Sequence, residues 1–414
     1  MAAPPRPHPL ARARAAERLN ELLGIAWQRG WSARPDLSAA AIFAAGAKGF
    51  HPDDERSGRN EADVADFRAR LEVLAGALES EARLNNLGRT VAAGMLARTV
   101  RQRLALGRWW RHRPADAIGE IAPPLIVLGQ MRGGTTRVHR LLAADPAHTA
   151  TRFCDSWNPV PLRPDLRPLK GAAALRLARV LNPWLDVLHP MTATGVEEEL
   201  GWLASALGGS AYYTQWHVPS FTRDCEDRDP APLYREFGRI LRTDAQHHGT
   251  RSRTRVLKVP EFTDAIPALC TAFPEARFVI ARRDPAEAAH SAASLVAAQM
   301  APQTDAADFA WILAEWERKT ALRERHLDAA VTALGDRCVV VDFALLDRDW
   351  RAAMRGVYAA LGRAWTPPVD TAMAHAQARM AQGAHREHRR QRANFAAAGQ
   401  CAVNGGGTGR GSAE

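Results

Sequence analysis

The chain has 414 residues, 46% hydrophobic and 24% charged, which suits one large or two modest globular domains and excludes a disordered or fibrous protein. Its five cysteines (Cys154, Cys225, Cys270, Cys338, Cys401) are odd in number and widely spaced, with no Cys-x-x-Cys pair, so neither a disulfide framework nor a zinc site is expected. The net charge of +10 is mostly arginine, spread along the chain without interleaved stacking aromatics, so no nucleic-acid groove is expected either.

From the N-terminus, residues 1–115 read as helical. Ala62 to Glu81 and Asn86 to Leu106 carry apolar residues at mixed three and four spacing, as in Phe67, Leu71, Leu74 and Leu78. Met1 to Arg14 scatters Arg and Pro where a signal peptide has an apolar stretch. No apolar run approaches the roughly 18 residues of a transmembrane helix. The expectation is a cytoplasmic chain with no transmembrane segment.

At Pro123 the character changes. Leu125 to Gly129 is a short apolar run bounded by Pro and Gly, as in a strand buried on both faces. A glycine-rich turn follows, then helical spacing over Thr136 to Ala144, stopped by Asp145-Pro146. Further strands are expected at 255–259, 277–281 and 338–341, with helices over 263–273, 285–300 and 350–361. Strands alternating with helices predict an α/β fold: a P-loop-like parallel sheet flanked by helices, spanning 116–395. Residues 147–255 read as a helical and irregular insertion suited to an acceptor site, and the Gly-rich 396–414 as a disordered tail.

The turn after the first strand is Gly129-Gln130-Met131-Arg132-Gly133-Gly134-Thr135-Thr136. Its glycines let backbone N–H groups approach an anion, and the next helix offers its positive end. Gly129, Gly134 and Thr136 fit the frame G-x-x-x-x-G-K-[ST], but Thr135 fills the lysine slot. That loss, with no strand-end Asp of the Walker B kind, argues against a P-loop kinase or NTPase. After the third strand come Arg282-Arg283-Asp284-Pro285 and, on the next helix, Ser291. Arg and Ser there suit a phosphate, one by charge and one by hydrogen bond.

Residues 126–146 resemble the 5′-phosphosulfate loop of sulfotransferases that use 3′-phosphoadenosine 5′-phosphosulfate (PAPS). Residues 277–295 resemble their 3′-phosphate segment, with Arg283 and Ser291 at the family's eight-residue separation. Leu257-Lys258-Val259-Pro260-Glu261, His189-Pro190-Met191 with Glu197-Glu198, and Gly383, His385, His388 and Arg389 are similar to motifs of the family's large bacterial branch. The resemblance, from about residue 60 to 396, implies Arg132, Gly133, Gly134, Thr135, Thr136, Arg283, Ser291, His388 and Arg389 as donor-binding residues. It implies PAPS as co-substrate, no metal and a hydroxyl-bearing acceptor. The chain departs from the family at Gly133, where a serine is usual, and at Cys154-Asp155 in place of Trp-Glu.

Transfer needs a base for the acceptor hydroxyl and cations for the leaving phosphate. Asp155 is the first choice of base, its pKa expected to rise through partial desolvation by Phe153 and Trp157. Glu197 and Glu198 are the second choice, although Glu197 to Glu199 also read as the acidic first turn of a solvated helix. Arg132 and Lys258 are the charge stabilisers. Trp157, Trp184, Trp202, Tyr212, Tyr213 and Trp216 suggest an apolar or aromatic acceptor. A non-catalytic nucleotide-binding protein is the alternative.

Overall fold

The computed structural model describes residues 6–113 and 119–380. Five parallel strands form one sheet in the order β2-β3-β1-β4-β5: β1 Leu125–Gly129, β2 His148–Ala150, β3 Thr254–Lys258, β4 Arg277–Arg282 and β5 Cys338–Asp342. Four of these lie where continuous apolar runs predict them. β2 is new: three residues at the sheet edge, too short and too polar to stand out, inside the segment read as an insertion. Its register pairs His148 with Thr254 and Ala150 with Val256.

The strands alternate their side chains between two apolar layers, as the pleat requires. Ile126, Leu128, Leu257, Phe278 and Ile280 face a layer that includes Phe237, Leu269 and Leu327. Leu125, Val127, Val256 and Val279 face Val138 and Leu142 of the helix Thr135–Ala143, and Val357 of the helix Trp350–Ala360. Helices thus cover both faces, which is why the strands are apolar on both.

Among the described residues five helices precede the sheet, at Arg14–Gln28, Ala39–Ala47, Asp53–Arg56, Glu61–Ser80 and Asn86–Arg111. Phe67, Leu74 and Leu96 share one buried cluster with Leu207, Trp216, Val296 and Trp316, so these helices have no separate core. The segment expected as one helix over 263–273 is a 3-10 turn, Pro260–Asp264, followed by the helix Ile266–Ala272.

The connection from β1 runs to one side of the sheet, and that from β4 to the other. The carboxyl ends of these neighbours therefore frame the crevice where open α/β sheets bind ligands.

Candidate active site

The loop between β1 and the helix Thr135–Ala143 opens into that crevice. Arg132 (φ 66°) and Gly134 (φ 91°) both lie in the left-handed region. Gly134 is the helix N-cap, and a Cβ there would stand 2.3 Å from the Phe343 ring, so only glycine fits. Gly133 closes the turn with its N–H on Gln130 O at 2.9 Å, and a Cβ would lie 2.9 Å from that same oxygen. The tight turn thus matches the glycine found where the family has serine.

Arg132 is a non-glycine residue in strained backbone, a conformation that persists only where its surroundings hold it. Here its Nε donates to Ser291 Oγ at 3.1 Å and its Nη1 to Leu188 O at 2.8 Å. Its carbonyl accepts from Arg283 Nη1 at 2.9 Å, and Arg283 lies over the Phe343 ring at 4.8 Å. Arg132, Arg283 and Ser291 therefore converge although up to 159 residues separate them in the chain.

Lys258 ends β3 and is 1% exposed, a buried amine and not a surface lysine. Its Nζ donates to Thr136 Oγ1 at 3.1 Å and pairs closely with Glu198 Oε1. One amine thus links the glycine loop to a carboxylate. The helical reading of Glu197 to Glu199 is corrected: Val196 bridges Arg152 in antiparallel fashion, and Glu197 N donates to Thr151 O at 2.9 Å. This extended strip aims successive glutamates in different directions.

Glu197 is buried against His189 Nε2 (3.0 Å) and Arg140 Nη2 (3.6 Å). Burial alone would raise its pKa, but His189, Lys258 and Arg140 outweigh it and hold the carboxylate at about 2. Glu199 is fully buried and takes the Lys258 N–H at 2.8 Å on Oε2. Burial, only partly offset by that hydrogen bond, pushes its pKa up to about 7.

Asp155 stands apart from this group. Arg152 grips it with two hydrogen bonds of 2.6 and 2.9 Å, Arg167 Nη1 lies at 3.2 Å and His248 Nε2 at 3.4 Å. Asp244, itself 2.7 Å from Arg255, completes the cluster. The expected upward shift is therefore reversed: burial raises the Asp155 pKa, but His248, Arg152 and Arg167 win and hold it far below the usual carboxylate range. His248 moves the other way, up to about 9, through its hydrogen bonds to Asp155 and Asp244.

A cavity of about 950 Å³ joins these features. Arg132, Gly134, Thr135, Thr136, Lys258, Glu197, Glu198, Arg283 and Ser291 line it, as does His189, while Asp155 does not. Of the six aromatics expected there, only Trp157 lines the cavity. Trp184, Trp202, Tyr212, Tyr213 and Trp216 are buried side chains instead. The apolar lining is mainly aliphatic, with Leu19, Leu23, Leu87, Val91, Leu175 and Leu181. His388 and Arg389, with Gly383 and His385, lie outside the described residues.

Sequence reasoning passed over Arg140 and gave His189 no role of its own. Arg140 was legible as the position one turn after Thr136, on the same face of a helix leaving an anion loop. Two groups among the described residues bring metal-ligand types together: Asp155, Asp244 and His248, and His189, Glu197 and Glu198. Arginines pair with the carboxylates of the first group, and Lys258 and Arg140 with those of the second.

A model of the sulfotransferase family matches residues 123–367. The omega-hydroxy-beta-dihydromenaquinone-9 sulfotransferase Stf3 of Mycobacterium bovis and of Mycobacterium tuberculosis is 28% identical over 170 residues. That match spans 39% of this chain and 42% of the relative. Sulfotransferase STF1 of Mycobacterium tuberculosis superposes with a TM-score of 0.68 at 25% identity, covering 88% of this chain and 100% of its own. STF9 of Mycobacterium avium has the same fold, with a TM-score of 0.69 at 22% identity over 83% of this chain and 88% of its own.

Proposed function

Because this chain belongs to the sulfotransferase family, we propose that it moves the sulfonate of PAPS onto the hydroxyl of an aliphatic acceptor. The carrying observation is the Lys258 amine, which touches Thr136 on the donor loop and Glu198 on the cavity wall.

Gly134, Thr135 and Thr136 present backbone N–H groups and two hydroxyls to the 5′-phosphosulfate, with Gly133 closing the turn and the helix behind them favouring anions. Arg283 and Ser291 hold the 3′-phosphate, and Arg132 bridges the two regions. In the reaction the acceptor oxygen forms a bond to sulfur while the bond from sulfur to the phosphate oxygen breaks. The acceptor proton passes to Glu198, and adenosine 3′,5′-bisphosphate leaves with its new charge met by Lys258 and Arg132.

Glu198 takes the base role in place of Asp155. It lines the cavity and is paired with one cation that the donor's phosphate competes for. Asp155 is outside the cavity and tied to three cations. Glu197, held at low pKa, orients His189 and Arg140 instead.

The aliphatic lining sets the acceptor class. Each acceptor CH₂ buried there contributes about 0.8 kcal/mol, roughly fourfold in kcat/KM. Transfer of radiolabelled sulfonate from PAPS to primary alcohols of increasing length tests this, with EDTA present throughout. Activity should climb with chain length and persist in the chelator. Preference for short polar or glycan acceptors, or metal-dependent ATP hydrolysis, would refute it. Tight nucleotide binding with no transfer to any alcohol would instead indicate a non-catalytic nucleotide-binding protein.

A further inference from the structure

Eight large hydrophobic side chains are conspicuously exposed among the described residues, and seven lie on two adjoining helices or their flanks. The first helix is Arg14–Gln28, which exposes Leu22 (61%) and Ile25, followed by Trp31 at 70%. The second is Arg167–Leu181. There Leu166, Leu169, Ala173, Leu177 and Val180 follow a 3-4-4-3 spacing, which puts them on one outward stripe. A helix pair inside a water-facing surface would carry polar residues on such a stripe.

Adjoining sides of the same helices line the cavity, through Leu19 and Leu23 on one and Leu175 and Leu181 on the other. Leu177 belongs to both surfaces, since it lines the cavity and is itself 58% exposed. The apolar interior therefore runs out to the apolar exterior between these two helices.

Charge decides what covers this face. Arg14, Arg18, Arg29, Lys170 and Arg176 are exposed on it, against the acidic Glu17 and Glu21. Arg18 and Arg29 sit one turn either side of Leu22 and Ile25, and Arg29 lies over the Trp31 ring at 4.9 Å. A second copy of this chain would bring like charge against like charge across a two-fold axis. A bilayer with anionic headgroups complements both the apolar stripe and the cations around it. No described helix is long and apolar enough to cross a membrane, so the contact is with the surface layer.

We propose that the face formed by helices Arg14–Gln28 and Arg167–Leu181 docks on an anionic lipid bilayer, and that acceptors pass from the bilayer into the cavity between them. The docking stands on the surface alone; the passage rests on the aliphatic-acceptor reading above.

The test is co-sedimentation of the full chain with vesicles of phosphatidylcholine, alone or with roughly 30 mol% phosphatidylglycerol. The anionic vesicles should bind the chain about tenfold more strongly, and roughly 1 M NaCl, which screens charges beyond about 3 Å, should weaken that binding. Leu22→Ser, Leu169→Ser and Val180→Ser change exposed residues that do not line the cavity. Combined, they should lower vesicle binding about tenfold or more and leave transfer to a water-soluble alcohol, assayed without vesicles, unchanged. Vesicle binding unaltered by the triple change would overturn the proposal. So would a dimer in solution that the same changes dissociate while no vesicle binds. Docking that survives in a chain inactive towards every alcohol would overturn only the acceptor reading.

Discussion

Asp155→Asn and Glu198→Gln separate a structural carboxylate from a chemical one. Asp155 has a side chain only 3% exposed and cationic neighbours at 2.6, 3.2 and 3.4 Å. Neutralising it leaves Arg152, Arg167 and a charged His248 short of an anion. Removing one partner of a buried ion pair costs about 3–5 kcal/mol. With an unfolding entropy of about 2.1 cal/mol/K per residue over 414 residues, that is a fall in Tm of roughly 3–6 °C. The cavity wall is untouched, so kcat should stay within about threefold of the parent. Glu198→Gln should differ in kcat. The new amide oxygen can still accept from Lys258 Nζ, but that buried amine loses an anion too, so Tm also falls; what sets this variant apart is that the base is gone and kcat falls by about 10² to 10⁴. Differential scanning calorimetry with single-turnover sulfonate transfer reads both effects on the same preparations. A large kcat loss in Asp155→Asn at unchanged Tm, with Glu198→Gln near normal, would refute this assignment and return the base to Asp155.

Arg283→Ala should weaken binding of adenosine 3′,5′-bisphosphate about ten- to a hundredfold, the worth of a charge-assisted hydrogen bond. Calorimetric affinity for 5′-AMP should barely change, and equal losses for both nucleotides would remove the 3′-phosphate from Arg283 and Ser291. Gly134→Ala forces a left-handed alanine, costing about 1–2 kcal/mol. It also drives a methyl into the Phe343 ring that supports Arg283, so thermal stability and bisphosphate affinity should fall together. The His248 pKa is raised from 6.5 to about 9. Its ion pairs therefore stabilise the fold fully below pH 6.5 and lose that contribution as pH rises through about 9. The Tm gap between the parent and His248→Gln should be widest near pH 6.5 and narrow steadily towards alkaline pH; a gap that widens would reverse the sign of this linkage.

Much of the fold was legible because its determinants are local. β1, β3 and β4 are buried on both faces and read as apolar strands, while β5, at the sheet edge with Val340 exposed, is marked by its valine run Val339–Val341. The helices Glu61–Ser80 and Pro285–Met300 follow the 3.6-residue period closely enough to be placed almost to their ends, whereas Asn86–Arg111 runs on past Leu106, where the expected helix stopped. The glycine turn after β1 was legible too, since Gly134 occupies backbone that other residues adopt only under strain. β2 was not, because three residues at an edge carry no periodicity.

What the tertiary structure alone decided was which groups meet. The Asp155 carboxylate reads the same in the sequence whether it is solvated, desolvated or clamped. Its proton affinity is set by Arg167 and by His248, 93 residues further along, because electrostatic energy depends on distance in space. Lys258 and Glu198 are likewise 60 residues apart until the extended strip from Val196, paired with Thr151 and Arg152, lays the glutamates beside β3. The aromatics follow the same rule: Trp202 and Trp216 are apolar by composition, but close packing of helices placed them in the core and left aliphatic side chains facing the cavity. Local pattern could specify the strands and the glycine turn, since each depends on neighbours in the chain; the Lys258–Glu198 pair and the aliphatic cavity depend on neighbours in space, which only the folded packing supplies.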